Sequence, residues 1–342
     1  MPFRDPVNSD SSAIGIIPPI GEARAFWVVA PGQGEIRAQP LRSPEPGELL
    51  IRARASAVSR GTETLVFRGE VPQSEWQRMR CPFQEGHFPG PVKYGYAVAG
   101  TVEDGPAEWR GRRVFCLHPH QDRFIVPEEA AVVIPDDVPD RRAALAANME
   151  TAVNGLWDGK AGPGDRIAVI GAGVVGALVA ALAARLPGAE IELIDIDPGR
   201  AALATALGCR FAAPLQASGE ADLVIHASGS PDGLATALAI AGFEATVVEM
   251  SWYGTRSVPL PLGGAFHSRR LTLRSSQVGT VPASRRERWS RRRRLALALA
   301  LLRDRAFDLL LSGESEFAAM PDLIPRLAAS AAGVLCHTLR YD

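Results

Sequence analysis

The sequence predicts an α/β protein in two parts, an all-β unit followed by a doubly wound parallel sheet, and three observations predict it. The first is size: 342 residues with 46% hydrophobic content can fill two cores of ordinary domain dimensions. The second is a change of pattern at Ala161-Gly-Pro-Gly164, where short apolar segments among prolines and glycines give way to strand–helix alternation. The third is the run Asp165-Arg-Ile-Ala-Val-Ile-Gly171-Ala-Gly173-Val-Val-Gly176, followed by Ile191-Glu-Leu-Ile-Asp195.

In chain order, residues 1–22 read as a flexible leader, for they lack the basic start and apolar core of an export signal. Alternating apolar segments at 25–29, 48–57, 96–102, 113–117 and 130–134 predict the strands of a compact β unit that ends near residue 155. Beyond it, strands are predicted near 166–171, 190–195, 222–227, 244–250 and 271–274, and helices near 174–185, 198–207 and 232–241. Residues 285–342 read as an amphipathic helix, a second helix over Met320–Ala329 and a last strand over 334–339. The basic run Arg285-Arg-Glu-Arg-Trp-Ser-Arg-Arg-Arg-Arg294 reads as a solvated helix start, with an anion-binding surface as the alternative.

Composition narrows the function. A formal net charge of −1 gives no support for a nucleic-acid partner, and no stretch approaches an uncharged membrane span. Cysteines at 81, 116, 209 and 336 form no CxxC pair, so neither a disulfide framework nor a four-thiolate zinc lobe can be read from them. A protein of the reducing cytoplasm that acts on a small molecule is expected.

The glycine-rich run carries the chemistry. Ile167 to Ile170 read as a buried parallel strand; Gly171, Gly173 and Gly176 permit a tight turn, close backbone approach to a pyrophosphate and close helix packing. The following helix then aims its free N–H groups at the phosphates. Asp195 lies nineteen residues beyond Gly176, at the end of a second apolar strand, where a carboxylate accepts the ribose hydroxyls of an adenosine. It would repel a 2′-phosphate: two unit charges about 4 Å apart at an effective dielectric of about 20 cost roughly 4 kcal/mol, on the order of a thousandfold in affinity. NAD(H) is therefore expected over NADP(H). Arg200 either lines the adenine ribose or only water, or neutralises a phosphate.

An N-terminal β unit, Gly-Pro-Gly-Asp and this nucleotide loop, with a C-terminal return, resemble the medium-chain dehydrogenase/reductase superfamily of zinc alcohol dehydrogenases and zinc-free quinone reductases. The anchors are Ser59-Arg-Gly-Thr-Glu-Thr-Leu-Val-Phe-Arg-Gly69, Gly95-Tyr-Ala-Val-Ala-Gly100 and Glu150-Thr-Ala-Val-Asn-Gly155. The Ser-x-Gly-Thr-Glu opening looks most like the branch containing bacteriochlorophyllide hydroxyethyl dehydrogenase. The resemblance implies a GroES-like catalytic domain over 23–155, a Rossmann NAD-binding domain over 156–284, and a return to the catalytic domain over 285–342.

By the same resemblance, the catalytic zinc ligands of the family fall on Arg60 (or Ser59, if the loop shifts by one), Tyr96 and Ala147. A cation, a phenol and a methyl group cannot make the N/S/O shell of Zn²⁺, so no zinc is expected. His118 and His120, in Cys116-Leu-His-Pro-His-Gln-Asp122, with His87 leave three readings open: an improvised metal site, a substrate-polarising role, or ordinary turn histidines. Activation of a carbonyl or hydroxyl then falls to hydrogen bonds and acid–base groups. Tyr96 is the leading candidate, with packing as its alternative; Lys93 is placed to lower the pKa of Tyr96 or Tyr94. Thr62 matches the hydroxyl relay position, His120 can share the proton, and Glu63 reads as a structural ion pair. Glu150 is either a second base or a helix-start carboxylate. Thr151 is expected beside the nicotinamide, Val175 against its far face and Ser228 beside its ribose, while Trp252 and Tyr253 either wall the cleft or pack in the core against the sheet. Pro259 and Pro261 mark an edge segment that in the family pairs across a two-fold axis, implying a homodimer. The expected reaction is hydride transfer between nicotinamide and a secondary alcohol or ketone; reduction of an activated C=C bond and a catalytically idle dinucleotide sensor are the alternatives.

Overall fold

Every residue from Ile167 to Ile170 is buried, as a central strand covered on both faces requires. A computed structural model of the protein describes residues 19–329 and 333–342. The expected leader falls on residues 1–18, outside the described residues, except that residues 19–22 belong to a strand.

The N-terminal unit runs β1 (Pro19–Ala30), β2 (Gln33–Arg42), β3 (Glu48–Val58), α1 (Arg60–Phe67), β4 (Glu85–Gly86), β5 (Val92–Lys93), β6 (Val98–Asp104), β7 (Arg113–Cys116), β8 (Arg123–Pro127) and β9 (Ala131–Val133). Helices α2 (Asp140–Ala143) and α3 (Ala146–Gly159) lead into β10 (Arg166–Ile170), α4 (Val174–Ala183), β11 (Glu190–Ile194), α5 (Ala201–Ala206), β12 (Arg210–Ala212), β13 (Ala221–His226), α6 (Pro231–Ile240), β14 (Ala241–Glu249) and β15 (Thr272–Ser275). The chain ends with α7 (Arg291–Leu301), β16 (Leu311–Glu316), α8 (Met320–Ala329) and β17 (Cys336–Arg340).

The six-stranded sheet has the order β12-β11-β10-β13-β14-β15, with every pair parallel. Its strand order reverses between β10 and β13, the point at which open α/β sheets form their ligand crevice. Strand alternation sorts the core: Ile167, Val169, Leu223 and Ile225 pack with α3, α4 and α7, while Ala168, Ile170 and Val224 pack with α6 on the other face. Among the described residues no helix is long and apolar enough to cross a membrane.

In the N-terminal unit the larger sheet has the order β16-β17-β3-β6-β7-β9, with β8 also on β3; a second sheet has the order β2-β1-β5-β4. Strand β17 pairs antiparallel with β3, His337 opposite Val58. The chain therefore returns from the parallel sheet to complete the unit it began. The pattern reading passed over β2 and β8, β2 because Gln33-Gly-Glu-Ile-Arg-Ala-Gln-Pro-Leu-Arg42 buries only Leu41 fully.

The basic run is not all solvated. Arg291, Arg292 and Arg293 are exposed, and the N-cap Ser290 accepts the Arg293 N–H at 3.1 Å. Arg294, however, is 1% exposed: its Nε donates to Glu150 Oε1 at 2.9 Å, and its other nitrogens to Asn154 Oδ1 and the Val278 carbonyl. This pair ties α7 to α3. Burial holds the Glu150 carboxyl above its usual range, with Arg294 opposing that shift. Removing one partner of a buried pair leaves a charge without compensation, so Arg294→Met should cost about 3–5 kcal/mol in denaturant unfolding. The double variant Arg294→Met/Glu150→Leu should recover most of the loss; a single variant as stable as the parent would remove this pair from the account of α7 docking.

Candidate active site

The nucleotide loop is built on contacts that only glycine allows. Gly171 follows β10 with φ +101°, and a Cβ there would lie 2.7 Å from both N and Cα of Ser228. On Gly176 a Cβ would lie 1.8 Å from the Gly171 carbonyl oxygen, so the first turn of α4 sits directly on the loop. Gly173, the residue before α4, has open space where its Cβ would be. The unpaired N–H groups of the first turn of α4 thus adjoin room for an anion. Val174 and Val175 are half-buried against the core.

Asp195 braces this loop. Its Oδ2 accepts the Ala172 N–H at 2.6 Å and its Oδ1 the Asp197 N–H at 2.9 Å. A carboxylate offers about four acceptor positions, so about two remain for hydroxyls. Arg200 pairs with Asp197 at 3.3 Å and is near enough to Arg60 to repel it; burial first, then Arg200, lower the pKa of the Arg60 guanidinium. Arg60 also donates to the Val334 carbonyl.

At the end of β13, the exposed Ser228 has its Oγ 2.6 Å from His226 Nε2, and His226 Nδ1 is 2.7 Å from Glu249 Oε2. The sequence reading placed Ser228 here but missed His226 and Glu249. Their proximity follows from the parallel register that sets His226 beside Glu249, which spacing along the chain does not disclose.

In the N-terminal unit, Tyr96 is half-buried beside the start of α1, with its phenol near the side chains of Ser59 and Thr62. Burial, then the nearby Glu63 carboxylate, push the phenol well above its ordinary range. The structure thus brings Tyr96 and Thr62 together. It does not give Lys93 the expected role: the ammonium is 1% exposed, donates to Glu85 and, at 2.7 Å, to Gln121 Oε1, and both Tyr94 and Tyr96 are shifted upward.

His120 also departs from expectation. It is fully buried, with Nε2 2.9 Å from Glu63 Oε2, Nδ1 2.9 Å from Ser56 Oγ, and Ser56 Oγ in turn 2.9 Å from the Tyr341 hydroxyl. Gly95, at φ +130°, admits the ring, since a Cβ would meet His120 Cδ2 at 2.7 Å. With both nitrogens engaged inside the core, His120 holds Glu63 and does not reach a substrate. His118 stacks on Phe124 with centroids 3.9 Å apart and donates to the Pro119 carbonyl; burial pushes its pKa down to about 3. It is a neutral turn histidine.

Glu150 is neither a helix-start carboxylate nor a free base, for it lies a turn into α3 and is held by Arg294. Thr151 donates its hydroxyl to the Ala147 carbonyl at 2.9 Å. Among the described residues no three His, Cys, Asp or Glu side chains converge to hold a metal ion. Trp252 packs on the same apolar cluster as Tyr96, and the Thr255 N–H donates to the Glu70 carbonyl at 3.1 Å. The loop after β14 therefore spans from the parallel sheet to the N-terminal unit.

The glycine contacts make a test. Gly176→Ala, which forces a methyl onto a backbone oxygen, should destabilise the protein by about 1–3 kcal/mol. Gly173→Ala, facing open space, should cost about 1 kcal/mol or less. Equal losses in denaturant unfolding would mean that α4 does not rest on the Gly171 carbonyl.

No protein-family model matches the chain. An L-threonine 3-dehydrogenase from Chelativorans sp. (strain BNC1) is 31% identical over 206 residues, 50% of this chain and 56% of that protein. The chain thus spans little more than half the length of this curated relative. In fold, a Sinorhizobium meliloti 1021 protein bound to NADP has a TM-score of 0.74 at 18% identity, covering 94% of this chain and 99% of its own. An Escherichia coli CFT073 alcohol dehydrogenase complexed with NADH has a TM-score of 0.73 at 16% identity, covering 94% and 100%. With a β unit completed by its own C-terminal strand and a glycine loop at the switch point of a parallel sheet, the chain shares the fold of these two solved proteins.

Proposed function

We propose that the protein is an NAD(H)-dependent oxidoreductase that interconverts a secondary alcohol and a ketone without a catalytic zinc. The observation that carries this reading is the pairing of the Gly171–Gly176 loop, at the sheet switch point, with the Tyr96 phenol and its Ser59 and Thr62 neighbours. The loop after β14 connects the two.

The loop glycines Gly171, Gly173 and Gly176 would hold the pyrophosphate, Asp195 the adenine ribose hydroxyls with Arg200 beside them, and Thr151, Val175 and Ser228 the nicotinamide end. Nicotinamide supplies the hydride-accepting or hydride-donating carbon. The chain's own residues manage the oxygen. Because the Tyr96 pKa is raised, the phenol stays protonated through neutral pH and donates to a developing alkoxide; Thr62 is placed to pass the proton on.

Zinc does not fit the donor set, for Arg60, Tyr96 and Ala147 stand at the family's ligand positions and offer a guanidinium, a phenol and a methyl group. Preference for NAD(H) rests on Asp195, since the solved neighbours include one protein with each cofactor. Strand β15 ends the parallel sheet, and we place the homodimer contact along that edge.

Tyr96→Phe should lower turnover by about 10²-fold or more while NADH affinity changes little, in protein treated with a chelator. Unchanged turnover would reduce the phenol to packing, and activity lost with the chelator and restored by Zn²⁺ would overturn the zinc-free reading. Asp195→Ala loosens the loop for either cofactor, so the ratio of affinities isolates the charge. That ratio should shift toward NADPH by about 10²- to 10³-fold in fluorescence titrations, and an unmoved ratio would remove Asp195 as the selector.

A further inference from the structure

We propose that Ser228, His226 and Glu249 form a proton relay opening on the nucleotide crevice, in which Ser228 exchanges the proton of a hydroxyl-bearing ligand. The proposal rests on the oxidoreductase reading for the identity of that ligand, but its geometry stands by itself.

Three groups at the carboxyl ends of adjacent strands are joined in order by hydrogen bonds, beginning at the surface with Ser228. Ser228 is exposed, His226 is fully buried and Glu249 is mostly covered. Glu249 is fixed as an acceptor: besides His226 Nδ1, it takes the Ser251 N–H at 2.6 Å and the Tyr253 hydroxyl at 3.1 Å. The Nδ1 nitrogen must then carry the hydrogen, which leaves the Nε2 lone pair for the Ser228 hydroxyl 2.6 Å away. Ser228 Oγ accepts the Ser230 N–H at 3.2 Å, so the serine hydrogen is free to point at the ring. This is the order of a nucleophile or proton carrier, a base, and the group that orients the base.

Two glycines make room for the array. A Cβ on Gly233 would lie 2.4 Å from Ser228 Oγ and 2.8 Å from His226 Nε2, and Gly171 presses on the Ser228 backbone. The serine is thereby held against the dinucleotide loop. Acyl transfer is not the use of this array, because the neighbouring N–H donors are spent: Gly229 N–H on Ser251 Oγ and Ser230 N–H on Ser228 itself. Proton transfer needs no such donors. When the ligand O–H bond breaks, its proton joins Ser228 Oγ as the serine hydrogen passes to Nε2; the imidazolium so formed faces the Glu249 carboxylate. The reverse returns the proton, and no electrons move within the relay.

The charged and titratable groups facing His226 are Glu249 from β14 and, in the loop beyond it, Tyr253, with Arg256 over the Tyr253 ring and donating to the Gly229 carbonyl. Strand β10 contributes the apolar Ile170, and α6 contributes Gly233.

The first test is ¹⁵N NMR of the imidazole in ligand-free protein. The Nδ1–H tautomer is expected at neutral pH, and Ser228→Ala, at an exposed position, should shift the Nε2 resonance while Nδ1 holds. An Nε2–H tautomer, or an Nε2 resonance indifferent to Ser228→Ala, overturns the relay. The second test titrates NAD⁺ and NADH into the parent protein, and binding of at least one of them is expected. Failure of the parent protein to bind either cofactor overturns the oxidoreductase reading instead, with the tautomer still deciding the relay.

Discussion

The approach of Gly176 to the Gly171 carbonyl is the constraint from which the rest of the nucleotide side follows. With a hypothetical methyl only 1.8 Å from the oxygen, α4 starts as close to β10 as a backbone permits. That closeness holds the loop flat against Ser228 on one side and within reach of Asp195 on the other. One steric condition therefore positions the helix terminus, the acidic side chain and the serine together. Each has a different partner, but none could keep its place if the loop rose.

The N-terminal unit solves a different problem, that of burying a set of linked polar groups. Glu63, His120, Ser56 and Tyr341 form one hydrogen-bonded chain running from α1 to the residue after β17. Buried polar groups are costly unless satisfied, and here each satisfies the next. The chain also fixes the start of α1, since Glu63 Oε1 accepts the Ser59 N–H at 2.8 Å, and Ser59 and Thr62 then meet Tyr96. Stability and the disposition of the polar cleft groups share the same bonds.

Much of this was legible in the chain. The glycine spacing and Asp195 announced the parallel sheet because both obey backbone rules that hold locally. Asp195 as a loop brace was not legible, because it requires knowing that Ala172 and Asp195 end adjacent strands. The pairing of Tyr96 with Thr62 came through resemblance, since the two lie on separate elements. His120 was misjudged because a His-Pro-His turn says nothing about which way a ring faces. Glu150 was misjudged because its partner is 144 residues away. The burial of Arg294 could have been found by helical phase, for Arg294, Leu295, Ala298 and Leu299 share the inner face of α7.

Strand β17 sits between β16 and β3, so a late strand lies inside the larger sheet of the N-terminal unit. A ribosome releases β3 long before it makes β17, and until then Ser56 lacks Tyr341 and one edge of β3 stands open. The parallel sheet has no such dependence, its strands all lying between residues 166 and 275. During synthesis the parallel sheet can therefore settle first, while the N-terminal unit waits for β17.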